Sequence, residues 1–189
     1  PSNYDPVART YTGIWDGSFK RVYSNNPAWI YFDLCTAKRY GLGDRITDNM
    51  LDKASLYRLG QYCDGMVSDG QGGLEPRFTS NVYIQSAEDA YSILSKLAGL
   101  FRAISYWGGD AIICDADIPQ DVFFNYSNAN VIEGHFDYSG TPGYNRRNVA
   151  KVAWSNPQNH YKTEYEIIRD EQAINQQKVI KIVDVDAWG

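Results

Sequence analysis

Cysteine and histidine are scarce in this sequence of 189 residues, which has three cysteines and two histidines. Cys35, Cys63 and Cys114 are odd in number and widely spaced, which is typical of reduced core thiols and not of a disulfide framework or a zinc site. His135 and His160 each lack a second histidine, a cysteine or a carboxylate at metal-ligand spacing. The sequence therefore predicts no metal and no cofactor, and synthesis in a reducing cytoplasm.

Positive charge and long apolar runs are also in short supply. Lysine and arginine total 18 against 23 acidic residues, which gives a formal net charge of -5, and no basic run occurs. This balance argues against nucleic acid as a partner. No segment approaches the ~18 apolar residues of a membrane span, and the N-terminus lacks a basic segment followed by an apolar one. We expect neither a transmembrane segment nor a secretion signal.

Aromatic residues, in contrast, are abundant. They make up 14% of the chain, with 15 tyrosines and 5 tryptophans, and many stand in otherwise polar segments. Such amphipathic side chains suit interfaces. The hydrophobic share of 43% and the charged share of 22% are those of an ordinary globular protein. The chain is long enough to bury a core, and we expect an α+β fold of one domain or two small lobes.

The first part of the chain has helical periodicity. Asn26 followed by proline predicts an N-cap, and the helix from Pro27 to Tyr40 is expected to end at Gly41 as a left-handed C-cap. A second helix is predicted from Asp48 to Gly65. A third is predicted from Ala87 to Ile104, after a capping box of Ser86 and Asp89.

Short strands and loops are predicted around these helices. A strand at Ile14–Val22 is interrupted by a turn at Asp16-Gly17, and a flexible loop at Asp69–Gly73 precedes a strand at Arg77–Ile84. A hairpin joins 105–107 to 111–115 through Gly108-Gly109.

After Pro119 the pattern changes to short strands. They are predicted at Val122–Asn125, Val131–Tyr138, Val149–Ser155, Tyr161–Ile168 and Val179–Val185, as an antiparallel meander or partial barrel. We therefore predict an extended arm at 1–12, an α+β lobe at 13–126 with helices packed on a small mixed sheet, and an antiparallel β lobe at 127–189. The chain opens without Met and stops after a strand-like run, so we expect a piece of a longer polypeptide.

Two pairs of aspartates are the strongest candidates for chemistry. Asp115 with Asp117, and Asp184 with Asp186, are spaced two apart in strand-like segments, so each pair lies on one face. Such a pair suits acid–base catalysis in a glycan hydrolase or a hard cation, but a solvated strand face has the same pattern. The glycines at 70–73 lack the Gly-Lys-Ser/Thr of a phosphate loop, and no nucleophile elbow occurs. We predict no enzyme, and no catalytic, cofactor-binding or metal-binding residue.

Aromatic residues in polar surroundings leave a carbohydrate-binding module open as an alternative. Stacking on sugars requires rings that remain exposed, whereas interface or core rings become covered. The residues considered are Tyr23, Trp29, Tyr31, Tyr126, Tyr138, Tyr144 and Tyr161.

Several long strings in collinear order resemble the host-specificity (tip attachment) protein J family of lambda-type siphophages and prophages. The strings are Pro1-Ser2-Asn3-Tyr4-Asp5-Pro6, Thr10-Tyr11-Thr12-Gly13-Ile14-Trp15-Asp16-Gly17, Asn26-Pro27-Ala28-Trp29, Lys38-Arg39-Tyr40-Gly41-Leu42-Gly43, Gln61-Tyr62-Cys63-Asp64, Glu75-Pro76-Arg77-Phe78-Thr79, Ala87-Glu88-Asp89-Ala90-Tyr91, Asn128-Ala129-Asn130-Val131-Ile132 and Asn156-Pro157-Gln158-Asn159-His160-Tyr161.

This resemblance implies the central part of a tail-tip hub that assembles as a trimer at the end of the tail tube. The family carries its receptor-binding parts nearer its C-terminus, so this piece would be scaffold. The stretch 86–117 would belong to a small α+β lobe, and the later β segment would contribute to or flank a tube-like barrel. The implied partners are other copies of the chain, the tail tube and other tail-tip proteins. The implied location is the virion tail tip, after synthesis in the host cytoplasm.

Overall fold

The computed structural model describes residues 1–84, 88–119, 121–122 and 124–187. They form two compact units that divide between Asp117 and Ile118. Four α-helices and several small sheets lie within these ranges, so the predicted α+β class is confirmed. The lobe limits proposed from the sequence, with a boundary after residue 126, stay a prediction.

The predicted start of the first helix is confirmed. Helix α1 spans Pro27–Thr36, and the Asn26 side chain accepts a hydrogen bond from the Ala28 backbone N–H at 3.0 Å. Proline at the first helical position costs no hydrogen bond, because a backbone N–H at that position has no partner within the helix.

The predicted end of α1 at Tyr40 is wrong. The helix stops at Thr36 because the chain folds back, and the Leu42 N–H donates to the Leu34 carbonyl at 2.9 Å. Gly41 is not a left-handed cap. It is required for close approach, since a Cβ there would lie 2.1 Å from the Leu34 carbonyl oxygen.

Helix α2 spans Lys53–Asp64, so its predicted start at Asp48 is wrong. Asp48–Met50 form a separate 3-10 turn, and Leu51 makes a parallel β-bridge to Ile112. The helix begins only after Asp52, whose carboxylate accepts the backbone N–H groups of the first turn at 3.1 Å.

Helix α3 spans Ala90–Leu100 and is capped by Asp89, which accepts the Ser92 N–H at 3.1 Å. The predicted start at residues 86 and 87 lies outside the described residues. The predicted end at Ile104 is wrong, because Arg102 adopts a positive φ of 59° and turns the chain into the next strand.

Two small hairpins replace irregular segments expected from the sequence. Strands β1 (Tyr4–Asp5) and β2 (Thr10–Tyr11) pair within the predicted extended arm. Strands β3 (Met66–Ser68) and β4 (Leu74–Pro76) pair on either side of the predicted flexible loop. The Asp69 carboxylate accepts two N–H groups inside that loop.

The strands predicted at 14–22 and 77–84 are wrong. Neither segment pairs with a strand in the described part of the chain. The Phe78 N–H instead donates to the Cys63 carbonyl at 3.1 Å, and the Ser80 N–H donates to the Asn25 carbonyl at 2.8 Å. These bonds fix the second segment against the end of α2 and the approach to α1.

The predicted glycine hairpin is confirmed as β5 (Ala103–Gly108) and β6 (Ala111–Ala116). Gly108 pairs with Ala111, so the two-residue turn is Gly109-Asp110 and not the predicted Gly108-Gly109. Gly109 supplies the positive φ, 66°, that such a turn needs. Helices α1, α2 and α3 and this hairpin enclose the core of the first unit. Its side chains include Tyr31, Cys35, Leu56, Leu59, Cys63, Leu97, Phe101, Ile112 and Cys114.

The second unit is a three-stranded sheet of order β8-β7-β9. Strands β7 (Val149–Asn156) and β8 (Lys162–Arg169) confirm two predicted strands. The prediction at 131–138 is wrong, since a 3-10 turn occupies Ile132–Gly134. No strand forms at the described positions 122, 124 and 125, and Phe123 lies outside the described residues.

The third strand corrects the predicted antiparallel meander. Strand β9 (Ile182–Asp186) runs parallel to β7. Helix α4 (Glu171–Gln177), which was not predicted, carries the chain from one side of β7 to the other at the same end of the sheet. Asn148 stabilises this crossing, because its side chain donates to the Val179 carbonyl and accepts from the Lys181 N–H, both at 2.7 Å. The described strands do not close a barrel.

Candidate assembly surfaces

A buried carboxylate lies at the centre of the first unit. The Asp64 side chain is 2% exposed, and its Oδ1 accepts Arg9 Nη1 at 2.7 Å and the Tyr4 hydroxyl at 3.2 Å. Its Oδ2 accepts the Tyr11 hydroxyl at 2.7 Å and Asn26 Nδ2 at 2.8 Å. All four donors turn inward, so the group joins the β1-β2 hairpin to helices α1 and α2.

The surroundings of Asp64 suit structure better than proton transfer. Burial, with the Asp64 charge as the second cause, raises the pKa of Tyr4 to about 12. Burial and the hydrogen bond to the same carboxylate raise the pKa of Tyr11 well above its usual range. Both phenols therefore stay protonated at neutral pH and act as fixed hydrogen-bond donors. Only the position of Asp64 in the apolar stripe of α2, four residues after Gly60 and one after Cys63, could have signalled its burial from the sequence.

The two aspartates of the first pair, Asp115 and Asp117, make different contacts. Asp115 accepts the N–H of Ala116 at 3.0 Å, whereas Asp117 lies 3.4 Å from Arg102 with its side chain 93% exposed. An exposed ion pair of this kind is typical of a solvated strand end.

The second aspartate pair lies on one face of β9, as the spacing predicts. Asp184 Oδ1 is 3.9 Å from Lys151 Nζ, and Lys151 also lies 4.4 Å above the Tyr165 ring. Asp186 has no cation within 4 Å among the described residues. The pair is acidic and exposed, and among the described residues no third metal-ligating side chain joins it.

The histidines and thiols form no reactive cluster in the described part of the chain. His135 lies 3.2 Å from Asp137 on an exposed turn, and no group of three metal-ligating side chains occurs within the described ranges. Burial raises the pKa of Cys35 and Cys63 to about 12 and that of Cys114 to about 11. All three thiols are free and buried, so they are protonated packing groups at neutral pH.

The aromatic residues considered for sugar stacking divide into two groups. Trp29 and Tyr31 are buried. The other five are exposed, at 65% or more of their surface, but Tyr23 lies in the first unit and the remaining four lie in irregular segments of the second unit. Of the seven rings, Tyr23 and Trp29 line the same groove of the first unit.

The sheet of the second unit leaves most of its apolar surface uncovered. Ala150, Val152 and Trp154 of β7 share one face with Ile168 of β8 and with Val183 and Val185 of β9, and we call this set the apolar sheet face. Glu164 and Glu166 of β8 lie on the same face, opposite Trp154 and Val152, at its border. Ile168 is 60% exposed and Val185 is 41% exposed. Among the described residues of 118–187, Val149 is the only buried apolar residue. A sheet of this size needs a covering surface to be stable.

A groove in the first unit is lined by positively charged side chains, unlike the apolar sheet face. One wall is the irregular segment 19–24, and the other is formed by α1 and the turn that follows it. Lys20, Arg21, Lys38 and Arg39 line it beside the rings of Phe32 and Tyr40. We call it the basic groove.

Within the described ranges, no helix combines the length and the apolar character needed to cross a membrane. The two units thus present a basic groove, an acidic strand and an uncovered sheet face, and no assembled catalytic group.

Comparison with known proteins gives the family. No protein-family model matches the chain. Tip attachment protein J of Escherichia phage SECphi4 is 46% identical over 162 residues, which are 85% of this chain and 14% of that protein. Tip attachment protein J of Escherichia phage SECphi27 is 42% identical over 173 residues, 92% of this chain and 14% of that protein.

The predicted resemblance to the tip attachment protein J family is therefore confirmed, and the chain is homologous to one segment of these proteins. It spans about one seventh of the length of the curated relatives that it matches. The carbohydrate-binding alternative is not favoured by these relatives.

Proposed function

We propose that this chain is a structural module of a phage tail tip, within a hub that consists of three copies. Its relatives are named for attachment at the tail tip. The proposed partners are other copies of the chain, the tail tube and neighbouring tail-tip proteins. The proposed location is the virion tail tip, after synthesis in the host cytoplasm, and neither nucleic acid nor a catalytic reaction is involved.

The observation that carries this proposal is the apolar sheet face. A unit with a single buried apolar residue among its described residues gains little free energy from its own core. The missing apolar contact has to come from a neighbour, as in proteins that function inside an assembly. This favours a scaffold over an enzyme or a free binding module.

Charged substitutions on the apolar sheet face test the proposal in the parent phage. Val183→Lys with Val185→Lys places two charges where a neighbour is expected to pack, so intact tails should be lost and plaque numbers should fall steeply. Ile132→Lys is the matched control, because Ile132 is 89% exposed and lies outside the sheet. Electron microscopy of lysates and plaque counts give the readout.

Normal tails and plaques from the double variant would overturn the proposal. Loss of tails in the Ile132→Lys control as well would also count against it, since the effect would then not be specific to the sheet face.

The proposed absence of catalysis has its own test. Purified chain is incubated with polysaccharide from the host surface, and release of reducing ends is measured. We expect no turnover. Turnover that is abolished by Asp115→Asn or Asp184→Asn would contradict the proposal and favour a glycan hydrolase.

A further inference from the structure

The basic groove holds an unusual concentration of unpaired positive charge for an acidic chain. Lys20, Arg21, Lys38 and Arg39 line it, whereas Asp33 is its one lining carboxylate and already accepts the Tyr40 hydroxyl. No carboxylate in the described part of the chain lies within 4 Å of any of the four cations. The groove therefore favours an anionic occupant.

The wall of the groove also offers free backbone groups. Residues 19–23 make no backbone hydrogen bond to any described residue. Phe19 nevertheless holds the segment in place, since its ring stacks on Phe32 at 4.0 Å and contacts Trp29 at 6.0 Å. A fixed segment with unpaired N–H and C=O groups is a template for an added strand. This favours a peptide over a glycan or a free phosphate.

Strand β9 of the same chain has the complementary chemistry. It alternates Val183 and Val185 with Asp184 and Asp186, and it lies at the edge of its sheet, with one side paired to β7. Its five residues match the length of the segment 19–23. Asp186 has no cation within 4 Å among the described residues, and the Asp184 side chain is 83% exposed.

We propose that the basic groove of one copy binds the edge of strand β9 of a second copy. Backbone hydrogen bonds join β9 to residues 19–23, and its aspartates face the groove cations. Because the groove and the strand are different surfaces, the contact is head-to-tail and can repeat around a closed ring. The inference rests on the proposed function and names one contact of the proposed trimer.

Complementary variants test this contact. The groove variant carries Lys20→Glu and Arg21→Glu, and the strand variant carries Asp184→Lys and Asp186→Lys. Self-association of the chain is measured by sedimentation velocity at several hundred micromolar and low salt. We expect the wild type to associate and each variant alone to associate at least tenfold more weakly. A mixture of the two variants should form a one-to-one dimer, because the groove variant keeps β9 and the strand variant keeps the groove.

A charge-matched control separates this contact from general repulsion. The control variant Arg58→Glu with Arg146→Glu has the same net charge as the groove variant, but its substitutions lie away from the groove. It should associate like the wild type. Circular dichroism and urea unfolding establish that each variant is folded. A synthetic peptide of residues 181–187 should compete with the wild-type association, and the same peptide with both aspartates replaced by asparagine should not.

Three results would overturn the inference: a wild type that stays monomeric, a groove variant that associates like the wild type, or a mixture that forms no dimer. Binding of inorganic polyphosphate in the groove without binding of the peptide would overturn it too. If the sheet-face variants still lose their tails, the proposed function stands even though the contact between the groove and β9 is rejected. Failure of this inference can therefore be told apart from failure of the proposed function.

Discussion

At the scale of single residues, the buried carboxylate of Asp64 joins the β1-β2 hairpin to the helices of the first unit. Four donors surround it, and Arg9, whose side chain is 13% exposed, is its only charged partner among the described residues. A buried ion pair contributes little net stability compared with apolar residues, but removal of one partner leaves an uncompensated buried charge. The pair therefore specifies where the β1-β2 hairpin docks.

We expect Asp64→Ala to lower the free energy of unfolding by about 3 to 5 kcal/mol, because Arg9 would remain buried without its counter-charge. Asp117→Ala is the matched control. It removes a carboxylate from an exposed ion pair, so its cost should be below about 1 kcal/mol. Urea unfolding followed by tryptophan fluorescence measures both, and equal costs would contradict the role assigned to Asp64.

The buried thiols predict a loss of stability at alkaline pH. Burial raises the pKa of Cys35 and Cys63 from 9.0 to about 12. Below pH 9 the two thiols keep their protons in the folded and in the unfolded chain, so their full contribution to the free energy of unfolding is present. Between pH 9 and 12 only the unfolded chain loses them, and the free energy of unfolding falls by up to about 1.4 kcal/mol per pH unit for each thiol.

Replacement of both thiols tests this directly. Urea unfolding at pH 8, 9 and 10 under reducing conditions should give a shallower decline for Cys35→Ala/Cys63→Ala than for the wild type. An unchanged slope would mean that the thiols do not set the alkaline limit.

At the scale of elements, two helical glycines differ in what surrounds them. A Cβ at Gly60 in α2 would lie 2.5 Å from Trp29 Cζ2, whereas a Cβ at Gly99 in α3 would meet nothing within 4 Å. We expect Gly60→Ala to destabilise the protein by about 1 to 3 kcal/mol, since overpacking outweighs the gain in helix propensity. Gly99→Ala should stabilise it by about 0.5 to 1 kcal/mol. Thermal unfolding of both variants gives the comparison, and a stabilising Gly60→Ala would contradict the close contact of α1 and α2.

Elements with strong local signals were predictable from the sequence. Asn26-Pro27 defined the start of α1, and Gly109 with its neighbours defined the β5-β6 hairpin. Helix ends were not predictable, because tertiary hydrogen bonds decide them. Helix α1 ends where the Leu42 N–H donates to the Leu34 carbonyl, and helix propensities contain no information about such a bond.

The candidate surfaces were less accessible to sequence reasoning than the helices. The pairing of Asp184 with Asp186 on one face followed from the strand period, but their exposure depends on β9 lying at a sheet edge. The basic groove joins Lys20 and Arg21 to Lys38 and Arg39, which are far apart in the chain. Helix α4 has seven residues, so its periodicity is too short to stand out from the flanking strands.

At the scale of the whole molecule, we expect the chain alone to be monomeric or weakly associated at micromolar concentration and the parent protein to be trimeric. Contacts in a closed ring are distributed, and every ~1.4 kcal/mol of lost contact weakens association tenfold. Light scattering on both proteins measures this. A tight trimer of the chain alone would place the trimer contacts within these residues, and a monomeric parent protein would count against the hub.

The ion pair between Arg9 and Asp64 also constrains how the polypeptide folds as it leaves the ribosome. The two residues are 55 positions apart, so their contact requires closure of a long loop. Strands β1 and β2 have two residues each and are not stable by themselves. Residues 1–12 therefore stay unfolded in the nascent chain until α2 has been synthesised, and the β1-β2 hairpin docks as a late step in the folding of the first unit.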